Sequence, residues 1–485
     1  MVFSSPVFLF LFLPIVLLLI HLAPRQLKNP LLLLSSLFFY TWGEQLYVFV
    51  MIASMVENYF SGLWIHREHQ KKNGRPKLAL LFTLCFNLGI LVFFKYLNFF
   101  SENLNPLLDF IGLPEIGFQV EHLPLGISFF TFQSLSYLID VYRKDVEVQR
   151  NPFHLALYIS LFPQLVAGPI VRYRHVNAQI LERKVSLPKF REGVIRFVEG
   201  MAKKVILADT LGRAVDIIFA APTEQLNPAI SWLGAIAFGM QVYYDFAGYS
   251  DMAIGIGKMI GFDFRENFRF PLYAQSIREM WTKWHISLVS WFRDYVYRSI
   301  GGGKKGKSRA MINLFIVFLL TGLWHGANWT FVVWGGFHGA ILVVEALFLQ
   351  QKINGWWRGF RHLYVLSIAF ISSVFFRAAD LSQAFDIIGN MFFIGNKSSE
   401  WLYLEMFFTT EFTLVFVLGF LLLVPIIPPV RAWITAKWAN VKQVERSVWY
   451  HIYNGGGLII YPALYLFCIF YLASRTFDPF IYFRF

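Results

Sequence analysis

The sequence predicts an all-α, polytopic membrane protein, a transmembrane helical bundle of about 11–13 membrane helices with re-entrant and interfacial amphipathic helices among them. Of its 485 residues 56% are hydrophobic and only 15% charged, whereas a soluble domain carries about 25% charged residues. Apolar runs also recur from the first residues to the last, with no low-complexity linker or large polar insertion, so residues 1–485 read as one membrane domain.

A helix crosses the hydrocarbon layer with about 20 apolar residues. Such runs fall at Val7–Leu22, Leu31–Trp42, Leu46–Ile65, Leu78–Phe100, Leu123–Tyr142, Phe153–Ala167 and Val194–Leu211. Further runs are Ile230–Gly257, Ile312–His325, Thr330–Leu349, Leu363–Phe376, Phe412–Ile427 and Leu458–Ala473. Several are too short to cross alone. Their aromatics and glycines suit tilted or re-entrant pieces buried in protein, where irregular backbone is tolerated at membrane depth. Met1–Leu22 has neither the basic start nor the small-residue cleavage site of a signal peptide and reads as an uncleaved first span.

The net charge of +13 sits in short loops between apolar runs, not on an amphipathic stripe. That pattern fits retention of Lys and Arg on the cytoplasmic side of a membrane and not nucleic-acid binding. The loop His66–Lys77 carries five basic residues, Ser101–His122 carries no Lys or Arg but four acids, and the next span ends at Arg143 and Lys144. This parity predicts an N-terminus outside and His66–Lys77 in the cytoplasm, as for a multi-pass membrane protein. The two cysteines, Cys85 and Cys468, lie in separate apolar runs. They imply no disulfide framework and no metal site, and read as small core hydrophobes.

Chemistry concentrates in three stretches. Thr321–Gly339 (TGLWHGANWTFVVWGGFHG) sets His325 and His338 in apolar, Trp- and Gly-rich sequence. An ionisable group at membrane depth usually marks a functional site; the plainer reading is a neutral imidazole satisfied by a neighbouring helix. Asn328 is placed to hydrogen-bond in the same site. Ser276–Ile300 (SIREMWTKWHISLVSWFRDYVYRSI) reads as one amphipathic helix, with Trp281, Trp284, Leu288, Trp291, Phe292 and Tyr295 on its apolar face. Arg278, Lys283, Arg293 and Arg298 lie opposite, and His285 falls on the apolar edge. Such a helix lies at the interface or lines a mouth that admits an anionic cofactor. Gln241–Gly257 puts Asp245 and Asp251 inside an apolar run, as counter-ions to that basic helix or as part of a reaction pocket. Gly301–Ser308 (GGGKKGKS) fits the letters of a P-loop, but no strand precedes it. It reads instead as a basic turn, with Lys304, Lys305 and Lys307 near a phosphate-bearing cofactor or lipid head group.

These stretches together resemble the membrane-bound O-acyltransferase family, in its bacterial branch that includes the alginate O-acetylation membrane subunit. The resemblance extends in order over MVFSSPVFLFLFLPIV, LPLGISFFTFQSLSYLIDVYR, LFPQLVAGPIVRY, YYDFAGYSDMAIGIG, FPLYAQSIREMWTKWHISLVSWFRDYVY, GLWHGANWTFVVWGGFHG, VFFRAAD and PFIYFRF, nearly the whole chain. It implies a bundle around a central tunnel and an acyl donor, most simply acetyl-CoA, entering from the cytoplasm. It also implies passage of acetyl across the membrane to a separate extracytoplasmic acetyltransferase that modifies an exported polysaccharide. The family's invariant histidine falls on His325 and its second conserved polar position on His285. On this reading His325 is a neutral general base or transient acyl acceptor, and His285 orients it or stabilises the thioester oxygen. Trp284 and Trp324 exclude water, Lys283, Arg293, Lys304, Lys305 and Lys307 contact the donor's phosphates, and no metal or prosthetic group is needed. A transporter or lipid-linked flippase using the buried acids and histidines is the reading from another class. A polysaccharide synthase lacks room for a glycosyltransferase domain between the spans.

Overall fold

A computed structural model describes residues 1–166, 168–394, 402–425 and 443–474. The sequence match at Pro479–Phe485 lies outside these residues, as do Ala167 and the end of the Phe412–Ile427 run. Among the described residues every regular element is helical. In chain order they are α1 (Leu13–Leu22), α2 (Arg25–Glu44), α3 (Val48–Gln70), α4 (Pro76–Phe110), α5 (Ile127–Arg143), α6 (Pro152–Ser160) and α7 (Phe162–Leu165). Then come α8 (Tyr173–Glu182), α9 (Leu187–Ala202), α10 (Asp209–Ala220), α11 (Pro228–Met259), α12 (Ile277–Lys283), α13 (Ile286–Trp291) and α14 (Lys307–His325). The chain continues through α15 (Trp329–Val344), α16 (Gln350–Gly355), α17 (Arg358–Arg377), α18 (Leu381–Met391), α19 (Thr410–Leu422) and α20 (Gln443–Ala473).

The helix starts are written locally. Asn151, Ser186, Asn227, Ser276, Asn328, Asp380 and Thr409 each accept a hydrogen bond from an amide in the first turn of the helix that follows. Each satisfies one donor left over at a helix N-terminus. Five stretches are long and apolar enough to cross a membrane: Arg25–Gln70, Pro76–Phe110, Lys307–His325, Trp329–Gly355 and Arg358–Arg377. The first contains two helices, α2 and α3, which are separated at Gln45 with its positive φ of 46°. Phe8–Leu22, Thr410–Leu422 and Gly457–Ala473 are shorter apolar helices. Cys468 is buried, as a core hydrophobe should be, whereas Cys85 is exposed on α4.

The centre of the bundle is α11, 32 residues or about 48 Å long, which packs against α9, α10, α17 and α18. Its contact with α9 is backbone on backbone. A Cβ on Gly200 would lie 2.5 Å from the Gly248 oxygen, and one on Gly193 2.5 Å from the Gly255 oxygen. The same interface carries the buried charges. Asp251 pairs with Lys203 at 2.5 Å and Arg196 at 2.7 Å, and Asp245 pairs with Lys204 at 3.1 Å. Both aspartates are therefore counter-ions, but to the α9 side and not to the basic segment at 276–300. The sequence reading placed them against the wrong cations, because a charge pattern does not reveal which helix will pack on which.

Small residues let helices approach this closely, and adding bulk there strains the backbone. Gly200→Val should lower the stability of the purified protein by about 1–3 kcal/mol. A thermal-shift measurement with no fall in Tm would contradict the close approach.

Candidate active site

The expected single amphipathic helix over Ser276–Ile300 is broken in its middle. Helix α12 stops at Lys283, Trp284 is extended, and His285 sits in the left-handed region at φ 44° before α13 begins. A non-glycine residue there costs about 1–3 kcal/mol and persists only where its surroundings hold it. Asn267 holds this one. Its carbonyl oxygen accepts the Ile286 amide at 2.9 Å, and its side-chain oxygen accepts the Ser287 amide at 3.2 Å and the Ser287 hydroxyl at 2.9 Å. The same side-chain oxygen lies 3.2 Å from Nδ1 of His285, and the amide nitrogen donates to Ser250 on α11 at 3.0 Å. At the other end of α12, Glu345 accepts the amides of Ile277 and Arg278 at 2.7 and 2.9 Å.

This network fixes a tautomer. An amide oxygen only accepts, so Nδ1 of His285 carries the proton and Nε2 presents a lone pair. Fully buried, Nε2 has no hydrogen-bond partner among the described residues. The ring lies edge-on to Phe246 at 4.6 Å and to Trp324 at 5.9 Å between centroids.

His325 is the last residue of α14 and is also buried. Its ring is boxed by Trp324 at 5.0 Å, Phe376 at 5.0 Å and Trp334 at 5.2 Å. The box depends on two glycines. At the α14–α15 crossing a Cβ on Gly335 would lie 3.0 Å from the Gly322 Cα and would collide with the Phe318 oxygen. Only glycine at these positions lets α15 bring Trp334 and His338 beside His325. The end of α14 is held from α4: Lys95 donates to the Trp324 carbonyl at 2.5 Å and the His325 carbonyl at 3.3 Å, and Tyr96 donates to the Leu323 carbonyl at 2.7 Å. Side-chain donors at a helix C-terminus satisfy its orphan carbonyls.

A small cavity opens on this centre, lined by His325, His338, Trp281, Trp284, Trp334 and Phe376 among others. The structure thus brings together His285, His325, His338, Trp284 and Trp324. His338 is occupied on both nitrogens, accepting from the Trp281 indole at 3.4 Å and meeting the Ser372 hydroxyl at 3.1 Å. Asn328 caps α15 through Thr330 and donates to the Ala379 carbonyl, so its amide serves the helix end and not the cavity. Lys283 pairs with Glu279 at 2.6 Å and Arg293 with Asp294 at 3.1 Å. Lys304, Lys305 and Lys307 are exposed at the opposite end of α14 from His325, about 27 Å along its axis. Asp245 and Asp251 lie in the α9–α11 interface described above.

Lys95, Asn267, Ser287, Trp334 and Phe376 were not singled out from the sequence. Lys95 carried a signal, since a lone lysine within the Leu78–Phe100 run is an intramembrane charge of the kind that marks function. Asn267 carried none.

Two buried histidines thus meet at one indole inside a helical membrane bundle. The chain belongs to the membrane-bound O-acyltransferase family, whose model matches residues 77–376 and so includes both histidines. It is an acyltransferase and a membrane protein. It is 42% identical over 401 residues to the probable alginate O-acetylase AlgI of Azotobacter vinelandii, covering 82% of this chain and 79% of that one. It is 40% identical over 395 residues to the probable alginate O-acetylase AlgI of Pseudomonas aeruginosa, covering 81% and 75%. Against the peptidoglycan O-acetyltransferase of Helicobacter pylori it is 34% identical over 434 residues, covering 81% and 80%.

Removing a partner from buried polar groups leaves them unsatisfied at about 1–3 kcal/mol. Asn267→Ala should destabilise the protein by about that amount and reduce acyl transfer, because the left-handed turn at His285 loses its anchor. Lys95→Met, close in shape but without the charge, should lower Tm comparably. Wild-type melting curves for both variants would refute these roles.

Proposed function

We propose that this protein takes acetyl from cytoplasmic acetyl-CoA and passes it across the membrane for O-acetylation of an exported polysaccharide of the alginate type. A separate extracytoplasmic acetyltransferase completes the transfer. The observation that carries the reading is the pair of buried imidazoles at Trp324, one of them, His285, with its Nε2 lone pair unpartnered. A buried acceptor without a donor costs about 1–3 kcal/mol, and a hydroxyl entering the site relieves it.

In the proposed reaction His325 acts as general base. One of its ring nitrogens takes the proton of a hydroxyl of the separate acetyltransferase as that oxygen attacks the thioester carbonyl. The carbon–sulfur bond then breaks, and the proton passes to the departing thiolate, giving free CoA thiol and an acetyl ester. His285 accepts a hydrogen bond from the incoming hydroxyl and orients it, the role its fixed tautomer suits. Trp284, Trp324 and Trp334 keep water from the thioester, which limits wasteful hydrolysis.

The similarity to alginate O-acetylases, 40–43% against 34% for the peptidoglycan O-acetyltransferase, favours an alginate-type acceptor over a cell-wall glycan. His325→Ala, expressed at the wild-type level, should abolish acetylation of the exported polymer, measured as ester acetyl content. Retained acetylation would remove His325 from the chemistry. Acetyl appearing in peptidoglycan and not in the exported polymer would reassign the acceptor. Absence of both acetyl-CoA hydrolysis and acetyl transfer by the purified wild-type protein would favour a transporter.

A further inference from the structure

A second cavity, about 1500 Å³, runs between α4, α5, α14 and the segment Trp291–Val296. Trp324 lines it at one place and Tyr295 at another. The two are joined by a continuous wall of rings. Tyr295 lies 5.3 Å from Trp291, Trp291 stacks on Phe132 at 3.8 Å, and Phe132 stacks on Trp324 at 5.5 Å. Trp324 in turn touches His325 at 5.0 Å. The wall of rings therefore runs from Tyr295 to Trp324, the indole that touches His325.

Around Tyr295 the chain gathers arginines from three separate segments. The guanidiniums of Arg172, Arg143 and Arg174 lie 5.1, 5.4 and 6.0 Å from its ring centre. Arg172, Arg293, Arg298 and Arg174 surround the carboxylate of Asp294 at 2.7, 3.1, 3.3 and 3.5 Å. Arg143 donates to the Asp294 backbone oxygen and to the Ser299 hydroxyl, each at 3.0 Å. The second acid, Asp140, accepts the Tyr295 hydroxyl at 2.9 Å and has Arg174 at 3.9 Å. Lys144 and Asp145, which follow Arg143, cancel each other in charge. Five guanidiniums against two carboxylates leave three positive charges crowded around Tyr295, which itself lines the apolar groove.

Arginines are rarely massed this way without an anion, because like charges beside a low-dielectric wall repel strongly. Their planar forks match phosphate oxygens two at a time. The side chain of Arg172 is only 3% exposed, yet one of its terminal nitrogens has no hydrogen-bond partner among the described residues. The nearby His175 registers the same field: burial, and then Arg265, Arg172 and Arg174, push its imidazole down to about 4.

We propose that Arg143, Arg172, Arg174, Arg293 and Arg298 form the phosphate site for the acyl donor, holding its phosphorylated head at Tyr295 while its slender arm follows the ring-lined groove to Trp324 and His325. This rests on the reading of acetyl-CoA as donor. It moves the phosphate contacts away from Lys283, Lys304, Lys305 and Lys307, and keeps only Arg293 of the residues expected from sequence. A lipid head group offers the same phosphate chemistry, and the experiment separates the two sources.

The full chain is reconstituted in nanodiscs of zwitterionic lipid, and binding of CoA is measured by calorimetry. The Arg293→Gln/Arg298→Gln double variant removes the two most exposed members, 60% and 65%, and leaves the Arg172–Asp294 pair intact. Its affinity for CoA should fall about tenfold or more, while Lys304→Gln/Lys305→Gln binds as wild type. CoA affinity of the wild-type chain should also fall as salt is raised, a readout that needs no variant. Undiminished CoA binding in the arginine variant, or a flat salt dependence, overturns the proposal. Loss in that variant of co-purifying anionic phospholipid, seen by native mass spectrometry with CoA binding unchanged, gives the site to a lipid head group and overturns the donor assignment. His325→Ala should bind CoA normally and transfer nothing. A wild-type chain that neither binds CoA nor transfers acetyl would sink the functional reading, a result distinct from any arginine-specific one.

Discussion

Two helices stop inside this bundle, and the site depends on how their ends are satisfied. At membrane depth no water is available for an unpaired carbonyl or amide, so an interior helix end exists only where the protein supplies partners. Helix α14 ends at His325, and its last carbonyls are taken by Tyr96 and Lys95 of α4. The segment at Trp284 and His285 interrupts another helix, and Asn267 takes over the exposed polar groups. Each stop sets a histidine at the break, and the His325 ring faces a cavity. A continuous helix would have bound both rings into a uniform face.

The three buried histidines of the region illustrate how partners decide role. His338 has both nitrogens engaged, by the Trp281 indole and the Ser372 hydroxyl, and so acts as a strut between α12, α15 and α17. His285 has one nitrogen pinned by Asn267 and the other open. His325 is held through its backbone by Lys95, and its ring meets the rings of Trp324, Trp334 and Phe376. The residue type is the same in each case, and the capacity for proton transfer follows the hydrogen bonds around it.

The frame that holds these positions is built on small residues and on paired charge. Gly193 and Gly200 of α9 meet Gly255 and Gly248 of α11 backbone to backbone, and the same faces bury Asp251 and Asp245 against Arg196, Lys203 and Lys204. A buried ion pair adds little net stability, but breaking one leaves a bare charge. It therefore fixes how α9 and α11 align. Asn267 is tied to α11 through Ser250, so that alignment reaches the turn at His285.

By itself the sequence determined the solvent, the helical class and most helix positions, and it singled out His285 and His325 as candidates. Each of these rests on composition, on apolar run length, or on an ionisable residue in an apolar stretch, and all are properties of a short window of chain. Only the tertiary structure decided that Ser276–Ile300 breaks at His285, because the cause is Asn267, 18 residues earlier, and not the pattern of apolar residues. It alone gave Asp245 and Asp251 their partners, set Asn328 to capping a helix, and put Lys304, Lys305 and Lys307 far from His325. Lys95 reaches the Trp324 carbonyl across 229 residues. Periodicity predicts which face of a helix is apolar, but a hydrogen bond needs a donor and an acceptor within about 3 Å, and that proximity is set only when the whole chain has packed.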